Sequence, residues 1–337
     1  MKRLVCFLLV LCLVLPVSAN AAAYSERDQL ASFMEYMNEK AAAIGMVSSK
    51  FNDPMGGYNF TTARDFSRLL AWVDQYWELM RVFGAEEREL SVSGENPRPQ
   101  TVTSTIRGNE HLDPYYEILA CKDGELPVEE IRNLAVILQI PESPDRLAVV
   151  CLLAQGRNHQ TNGSRAAVKA IADAALRRLA DPEADISDIK IPCGSAMAVL
   201  LPEEGADPEN LRILYEKDPD RQVMTASITK VLTAVCVLDV QQDLEERFDY
   251  RSFDTNIGGF YIQDFLPGDQ LTYREGLYAL LLPSSNVTAR ALARASGLRI
   301  LEQGKPDPTR IPRVKTGQGM EGAVAALMIS ACAVQSK

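Results

Sequence analysis

The sequence predicts a mixed α/β (α+β) protein, built on an antiparallel sheet of about five strands flanked by helices, with a helical subdomain. Apolar runs at 115–120, 133–140 and 147–155 are separated by polar turns, the pattern of a meander. A hairpin pattern follows at 195–201 and 211–215, with a turn around 203–209. Helical spacing of apolar residues marks segments before, between and after these strands.

In chain order, Leu30, Phe33, Met34, Met37, Ala41 and Ile44 recur at helical spacing over 25–45, and Gly45 is the stop. Residues 51–58 are rich in Gly, Asn, Asp and Pro and read as a loop. A second helix starts at Thr61 or Thr62 and runs through Leu69, Trp72 and Trp77 to about Phe83, with its aromatics in the core. Residues 91–113 are polar and turn-rich. After the meander, the alanine-rich helix 164–179 is suited to lying on a sheet, and the acidic stretch 181–190, with Pro182, reads as a linker. The hairpin leads to a helix at 226–240. An irregular stretch at 251–269 precedes a helix at 272–282, stopped by Pro283, and a break at 284–286 precedes another at 287–296. The tail holds Pro306, Pro308 and Pro312, then an apolar run at 323–334 that is too short for a bilayer span.

Composition bounds the function. A chain of 337 residues, 47% apolar and 24% charged, can bury the core of one large or two modest domains. The net charge of -10, without a Lys/Arg run or a basic stripe among aromatics, argues against nucleic acid as a partner. Residues 1–23 carry a basic tip at Lys2 and Arg3, an apolar run to Val17 and small residues Ala19-Asn20-Ala21, the pattern of a secretory signal cut near Ala21 or Ala23. An uncleaved anchor is the competing reading of that stretch. The expected location is extracytoplasmic: periplasm, cell wall or secreted. Beyond the signal, Cys121, Cys151, Cys193, Cys236 and Cys332 lack C-x-x-C spacing, and the histidines are His111 and His159, so no metal site is expected. Five cysteines leave room for one disulfide but cannot all pair.

The candidate chemistry centres on Ser227 and Lys230. Three apart on a helix, they share a face, so the lysine amine can reach the serine hydroxyl and, if desolvated, take its proton. Such a pair on its own is common on solvated helix faces. Two further motifs follow in order, Ser284-x-Asn286 and Lys315-Thr316-Gly317. Ser-x-x-Lys, Ser-x-Asn and Lys-Thr-Gly in that order mark acyl-serine enzymes of the penicillin-binding type. Read alone, Ser284 and Asn286 would simply cap the helix that follows.

The flanks agree with the motifs. The stretch LYEKDPDRQVMTASITKVLTA resembles the nucleophile segment of serine D-Ala-D-Ala carboxypeptidases, the low-molecular-mass penicillin-binding proteins, and GDQLTYREGLYALLLPSSNVTARALA resembles the lead into their second motif. The resemblance covers 195–297 and implies a β-lactamase/transpeptidase-like fold. The family places many more residues between its second and third motifs than separate Asn286 from Lys315 here. Those residues have counterparts earlier in the chain. MNEKAAAIGMVSSKFNDPMGGYNFTTARDFSRLL is similar to the family's stretch after the second motif, and YEILACKDGELPVEEIRNLAVILQIPESPDRLAVVCLLAQG to its third-motif strand and the two strands after it. The chain therefore resembles a circular permutation, which is tolerable where the old termini meet at the surface.

The expected organisation is a signal at 1–23, the family's back half at 24–180, a linker at 181–194, its front half at 195–299 and a tail at 300–337, with 24–337 one composite domain. The third motif is then duplicated. Lys315-Thr316-Gly317 keeps the threonine and is the favoured copy. Lys122-Asp123-Gly124 has the full meander but an aspartate that would repel a substrate carboxylate, and it is the alternative.

The resemblance implies a serine-type D-Ala-D-Ala carboxypeptidase acting on peptidoglycan stem peptides, inhibited by β-lactams, and needing no cofactor or metal. In it Ser227 attacks, Lys230 takes the proton, Ser284 relays a proton to the leaving amine and Asn286 holds the substrate amide. Lys315, Thr316 and Gly317 bind the terminal carboxylate, and the backbone N–H groups of Ser227 and Gln318 form the oxyanion hole. The alternative is a catalytically impaired penicillin-binding-like module. A β-lactamase ranks lower, because no glutamate can be assigned to activate a deacylating water. The family's C-terminal membrane-binding helix is not recognisable.

Overall fold

The computed structural model describes residues 24–106, 115–155, 162–203, 206–257 and 264–311. Helix α1 (Glu26–Ala43) is started by Ser25, whose hydroxyl accepts from the Asp28 N–H while the Asp28 carboxylate reaches back, a capping box. A short strand β1 (Phe60–Thr61) precedes α2 (Ala63–Val73) and α3 (Trp77–Phe83). The sequence predicts one helix here, and the break at Asp74–Tyr76 has a use. It sends the Tyr76 hydroxyl into the core, 2.6 Å from Asp239, and Asp74 to Arg146.

Strands β2 (Glu87–Gly94) and β3 (Arg98–Thr103) form a hairpin that overlaps the stretch 91–113 read from sequence as turn-rich. Their alternation is hidden because most of both strands faces solvent, and the apolar positions that reach the core are Leu90, Val92 and Val102. The meander follows as β4 (Ile118–Leu126), β5 (Ile131–Gln139) and β6 (Arg146–Ala154), then α4 (Asn162–Ala180). After the linker come β7 (Cys193–Leu200), β8 (Arg212–Lys217) and β9 (Val223–Met224). A single 3-10 turn at Ala226–Thr229 then leads into α5 (Lys230–Val240). Strand β10 (Arg247–Asp249), α6 (Ser252–Thr255), β11 (Asp269–Thr272), α7 (Tyr273–Leu281) and α8 (Asn286–Gln303) complete the described chain. Helix α8 runs farther than the expected 287–296.

The main sheet is antiparallel, in the order β4-β5-β6-β7-β8. Its five strands match the expected meander and hairpin, and the join between them is β6 against β7, Leu147 opposite Leu200 and Cys151 opposite Ala196. The chain segments on either side of the linker thus share one sheet. Val136, Val149, Cys151 and Ala198 on one face are covered by Ala167, Val168, Ile171 and Ala174 of α4. Ile137, Ala148, Val150 and Met197 on the other face lie in one core with Phe66, Leu69 and the apolar side of α5. Each fully buried Val, Leu, Ile, Met or Phe among them contributes roughly 1.5–3 kcal/mol. Cys121, Cys151, Cys193 and Cys236 are buried.

The helical side is equally tight. A Cβ on Gly297 of α8 would fall 1.8 Å from the Gln29 carbonyl oxygen of α1, so the two backbones meet only because residue 297 is glycine. A second sheet, β10-β11-β2-β3, again combines both segments.

Candidate active site

Ser227 sits in the 3-10 turn that opens into α5, and Lys230 is the first residue of that helix. Strand β9 just before the turn pairs with β1, Met224 opposite Phe60. Between them, Ala226 is held at φ +50, a left-handed conformation that costs an L-residue about 1–2 kcal/mol. Contacts on three sides hold it. The Thr225 N–H donates to Asn59 O at 3.0 Å. The Asn133 side chain, reaching over from β5, donates to Met224 O at 2.8 Å and Thr225 O at 3.0 Å. A Cβ on Gly56, itself at φ +117, would meet Ala226 O at 1.9 Å.

Lys230 is fully buried. Its Nζ lies 2.9 Å from Ser227 Oγ, 2.7 Å from Asn286 Oδ1 and 3.1 Å from Met55 O. Burial pushes its ammonium well below the ordinary lysine range, and the charge of Lys122 pushes the same way; Asp123, Asp53 and Asp264 oppose the shift. A neutral amine has two N–H donors and one lone pair. With the donors on Met55 O and Asn286 Oδ1, the lone pair is left for the Ser227 proton. That is the geometry of an activated nucleophile.

The loop 51–58 supplies the Met55 carbonyl, and Asp53 shapes it. The Asp53 carboxylate accepts from the backbone N–H groups of Met55 at 2.7 Å, Gly56 at 2.5 Å and Tyr58 at 3.1 Å. Thr233 on α5 donates to Pro54 O at 2.8 Å, and Asn59 donates to Thr229 at 3.1 Å, so the loop is fastened along the nucleophile helix.

Ser284 and Asn286 stand in the break between α7 and α8. Capping of α8 falls to Ser285, whose hydroxyl accepts from the Thr288 N–H at 3.0 Å. Ser284 is held at φ +65, and its buried Oγ has no hydrogen-bond partner among the described residues. The capping reading of Ser284 and Asn286 therefore gives way to two side chains free for other work, one of which already touches Lys230.

The edge beside the nucleophile is β4. A Cβ on Gly124 would fall 2.8 Å from the Ile228 nitrogen and 2.9 Å from the Ser227 nitrogen, an approach that only glycine allows. Two residues back, Lys122 is buried, with its Nζ 2.7 Å from Asp123 Oδ1 and 3.0 Å from Asp123 O. Thr105 donates to the same Oδ1 at 3.0 Å. Burial alone would raise the Asp123 carboxyl, but the Lys122 charge and these hydrogen bonds hold it below its ordinary range. The sequence favours Lys315, Thr316, Gly317 and Gln318 for this edge. Those residues lie outside the described residues; the described chain places Gly124, next to Lys122 and Asp123, beside Ser227. Strand β4 is paired to β5 from Ile118 opposite Leu138 to Leu126 opposite Ile131.

Sequence reasoning missed Asn59, Asn133, Thr105 and the Met55 carbonyl. The Asn-Asp-Pro and Gly-Gly run at 52–57 marks a tight loop, but nothing in it says which helix the loop serves. A 710 Å³ concavity lined by Tyr116, Gln139 and Ile140 lies at the opposite end of β4, away from Ser227. Among the described residues no group of histidine, cysteine and carboxylate side chains could hold a metal ion.

The family model of D-alanyl-D-alanine carboxypeptidase matches residues 195–297, the stretch that carries Ser227, Lys230, Ser284 and Asn286. This segment is similar to that family. A D-alanyl-D-alanine endopeptidase of Pseudomonas aeruginosa is 33% identical over 88 residues, which are 26% of this chain and 28% of that protein. The chain thus matches little more than a quarter of the length of that curated relative. No solved structure matches. The matched segment holds Ser227, Lys230, Ser284 and Asn286, while the Met55 carbonyl, Asn133 and the β4 edge come from residues before it.

Proposed function

We propose that the protein is an acyl-serine peptidase that opens D-alanyl peptide bonds in peptidoglycan stem peptides outside the cytoplasm. The observation that carries this reading is the 2.9 Å contact between Lys230 Nζ and Ser227 Oγ, with the other polar contacts of that amine already made. Ser227 Oγ attacks the carbonyl carbon as its proton passes to Lys230 Nζ. The oxyanion forms beside the Ser227 N–H, where the edge strand approaches. Ser284 passes a proton to the leaving nitrogen, the amine departs, and water cleaves the Ser227 ester. Asn286 orients Lys230 and holds the substrate amide. At the third-motif position we assign Lys122, Asp123 and Gly124, with the Glu125 N–H in the place the sequence gives to Gln318.

The carboxypeptidase form expects a terminal D-alanine with a free carboxylate as leaving group, and β-lactams as trapped inhibitors. A circularly permuted family domain accounts for the two segments that share one sheet. No helix among the described residues is long and apolar enough to cross a membrane.

The test is mass spectrometry of the protein after reaction with a fluorophosphonate, together with chromatography of stem peptides and peptidoglycan digests incubated with it. An adduct on Ser227, and D-alanyl cleavage abolished in Ser227→Ala, are expected. A folded protein that takes no adduct and cleaves none of these substrates would favour the catalytically impaired module and overturn the reading.

A further inference from the structure

The β4 edge carries an internal ion pair where a substrate charge would be read. Lys122 spends two of its three N–H donors on Asp123, one on the backbone oxygen and one on Oδ1. The lysine side chain is 1% exposed and the aspartate 16%, so the acid is the member of the pair that faces outward. Both hydrogen bonds to the carboxylate, from Lys122 and from Thr105, fall on Oδ1. Among the described residues Oδ2 is left as an acceptor.

We infer that Asp123 is a specificity-determining residue that turns this peptidase away from a leaving residue with a free carboxylate. It selects stem peptides in which the carboxyl beside the leaving nitrogen is amidated or absent. An incoming carboxylate meets a lysine whose charge is already matched and an anionic oxygen that repels it. An incoming amide N–H meets that oxygen as a donor meets an acceptor, with Gly124 holding the strand close enough to Ser227 for the contact to fall beside the scissile bond. This inference rests on the acyl-serine reading above and goes beyond it in naming the leaving-group chemistry.

The probe is a matched pair, diacetyl-L-Lys-D-Ala-D-Ala and its C-terminal carboxamide, assayed for kcat/KM with the wild-type protein, Asp123→Asn and Asp123→Thr. The wild type is expected to prefer the carboxamide by about tenfold or more, a preference of roughly 1.4 kcal/mol. Both substitutions are expected to move the ratio at least tenfold toward the free acid, with Ser227 still taking a fluorophosphonate. A wild-type preference for the free acid, or a ratio that neither substitution moves, would overturn the inference while the peptidase reading stands. Cleavage of neither peptide, with no fluorophosphonate adduct on the folded protein, would remove the peptidase reading and this inference with it.

Discussion

Lys40 of α1 and Asp239 of α5 form an ion pair in the core, Nζ to Oδ2 3.0 Å, with both side chains essentially inaccessible. Tyr36 and Tyr76 donate to the same carboxylate at 2.8 and 2.6 Å, and the Lys40 ammonium lies 4.8 Å over the Trp72 ring. The cluster fixes the far end of the nucleophile helix to helices from the first part of the chain. Asp239→Ala leaves the Lys40 charge buried without its partner, which costs about 3–5 kcal/mol. Lys40→Met is expected to cost less, because two tyrosine hydroxyls still satisfy the carboxylate. Urea midpoints of the two variants check the order.

Lys230 sets the pH dependence. Burial and the neighbouring Lys122 charge hold its folded pKa well below the ordinary 10.5. Between those two values the unfolded chain binds a proton that the folded chain does not. The penalty from this group is therefore full below the folded pKa, and stability rises with pH across the window until about 10.5. Acylation of Ser227 rises through the same folded pKa, as the lone pair appears. The pH–rate profile of fluorophosphonate labelling is expected to show its ascending limb well below the lysine range. Lys230→Met is expected to remove that limb and slow labelling by about 10³-fold or more.

Gly56 touches the turn that presents the nucleophile. Gly56→Ala places a methyl carbon 1.9 Å from Ala226 O at a φ of +117, so both the contact and the backbone conformation are violated. The loop must withdraw, taking the Met55 carbonyl from Lys230. A stability loss of about 1–3 kcal/mol is expected, together with a fall in labelling rate larger than the unfolded fraction explains. Thermal unfolding and labelling on one preparation separate the two effects.

Asn133 ties the sheet to the same turn from the other side. Its amide donates to Met224 O and Thr225 O, and its oxygen accepts from the Leu153 N–H at 3.1 Å. Asn133→Ala strands those buried backbone groups at about 1–3 kcal/mol. The Gly124 strand is then no longer held to Ser227 through β5, so acylation should slow in protein that remains folded. A variant with wild-type labelling rate would show that the turn holds without this link.

What could be read from the sequence follows the range of each interaction. Ser227 and Lys230 were legible because their contact is local, fixed by three residues of chain. The core strands 133–140 and 147–155 were legible because buried strands are apolar runs. The hairpin at 87–103 was not, since its exposed faces carry Glu, Arg, Gln and Thr that read equally as turn. Met55 contributes a carbonyl, and carbonyls leave no trace in residue identity. The choice between Lys122 and Lys315 turns on a threonine at one site and an aspartate at the other, whereas the place of Lys122 beside Ser227 rests on pairing along β5, which a three-residue motif does not carry.

The pairing of β6 with β7 also has a consequence in time. Synthesis delivers β4, β5 and β6 before β7, so an emerging chain carries three of the sheet's five strands, and their β6 border waits, hydrogen-bonding groups unmatched, for a strand not yet made. Such a border invites any extended neighbour. Ser227 arrives only after the strand that closes this gap, so the chain passes its most adhesive stage before its candidate nucleophile is made.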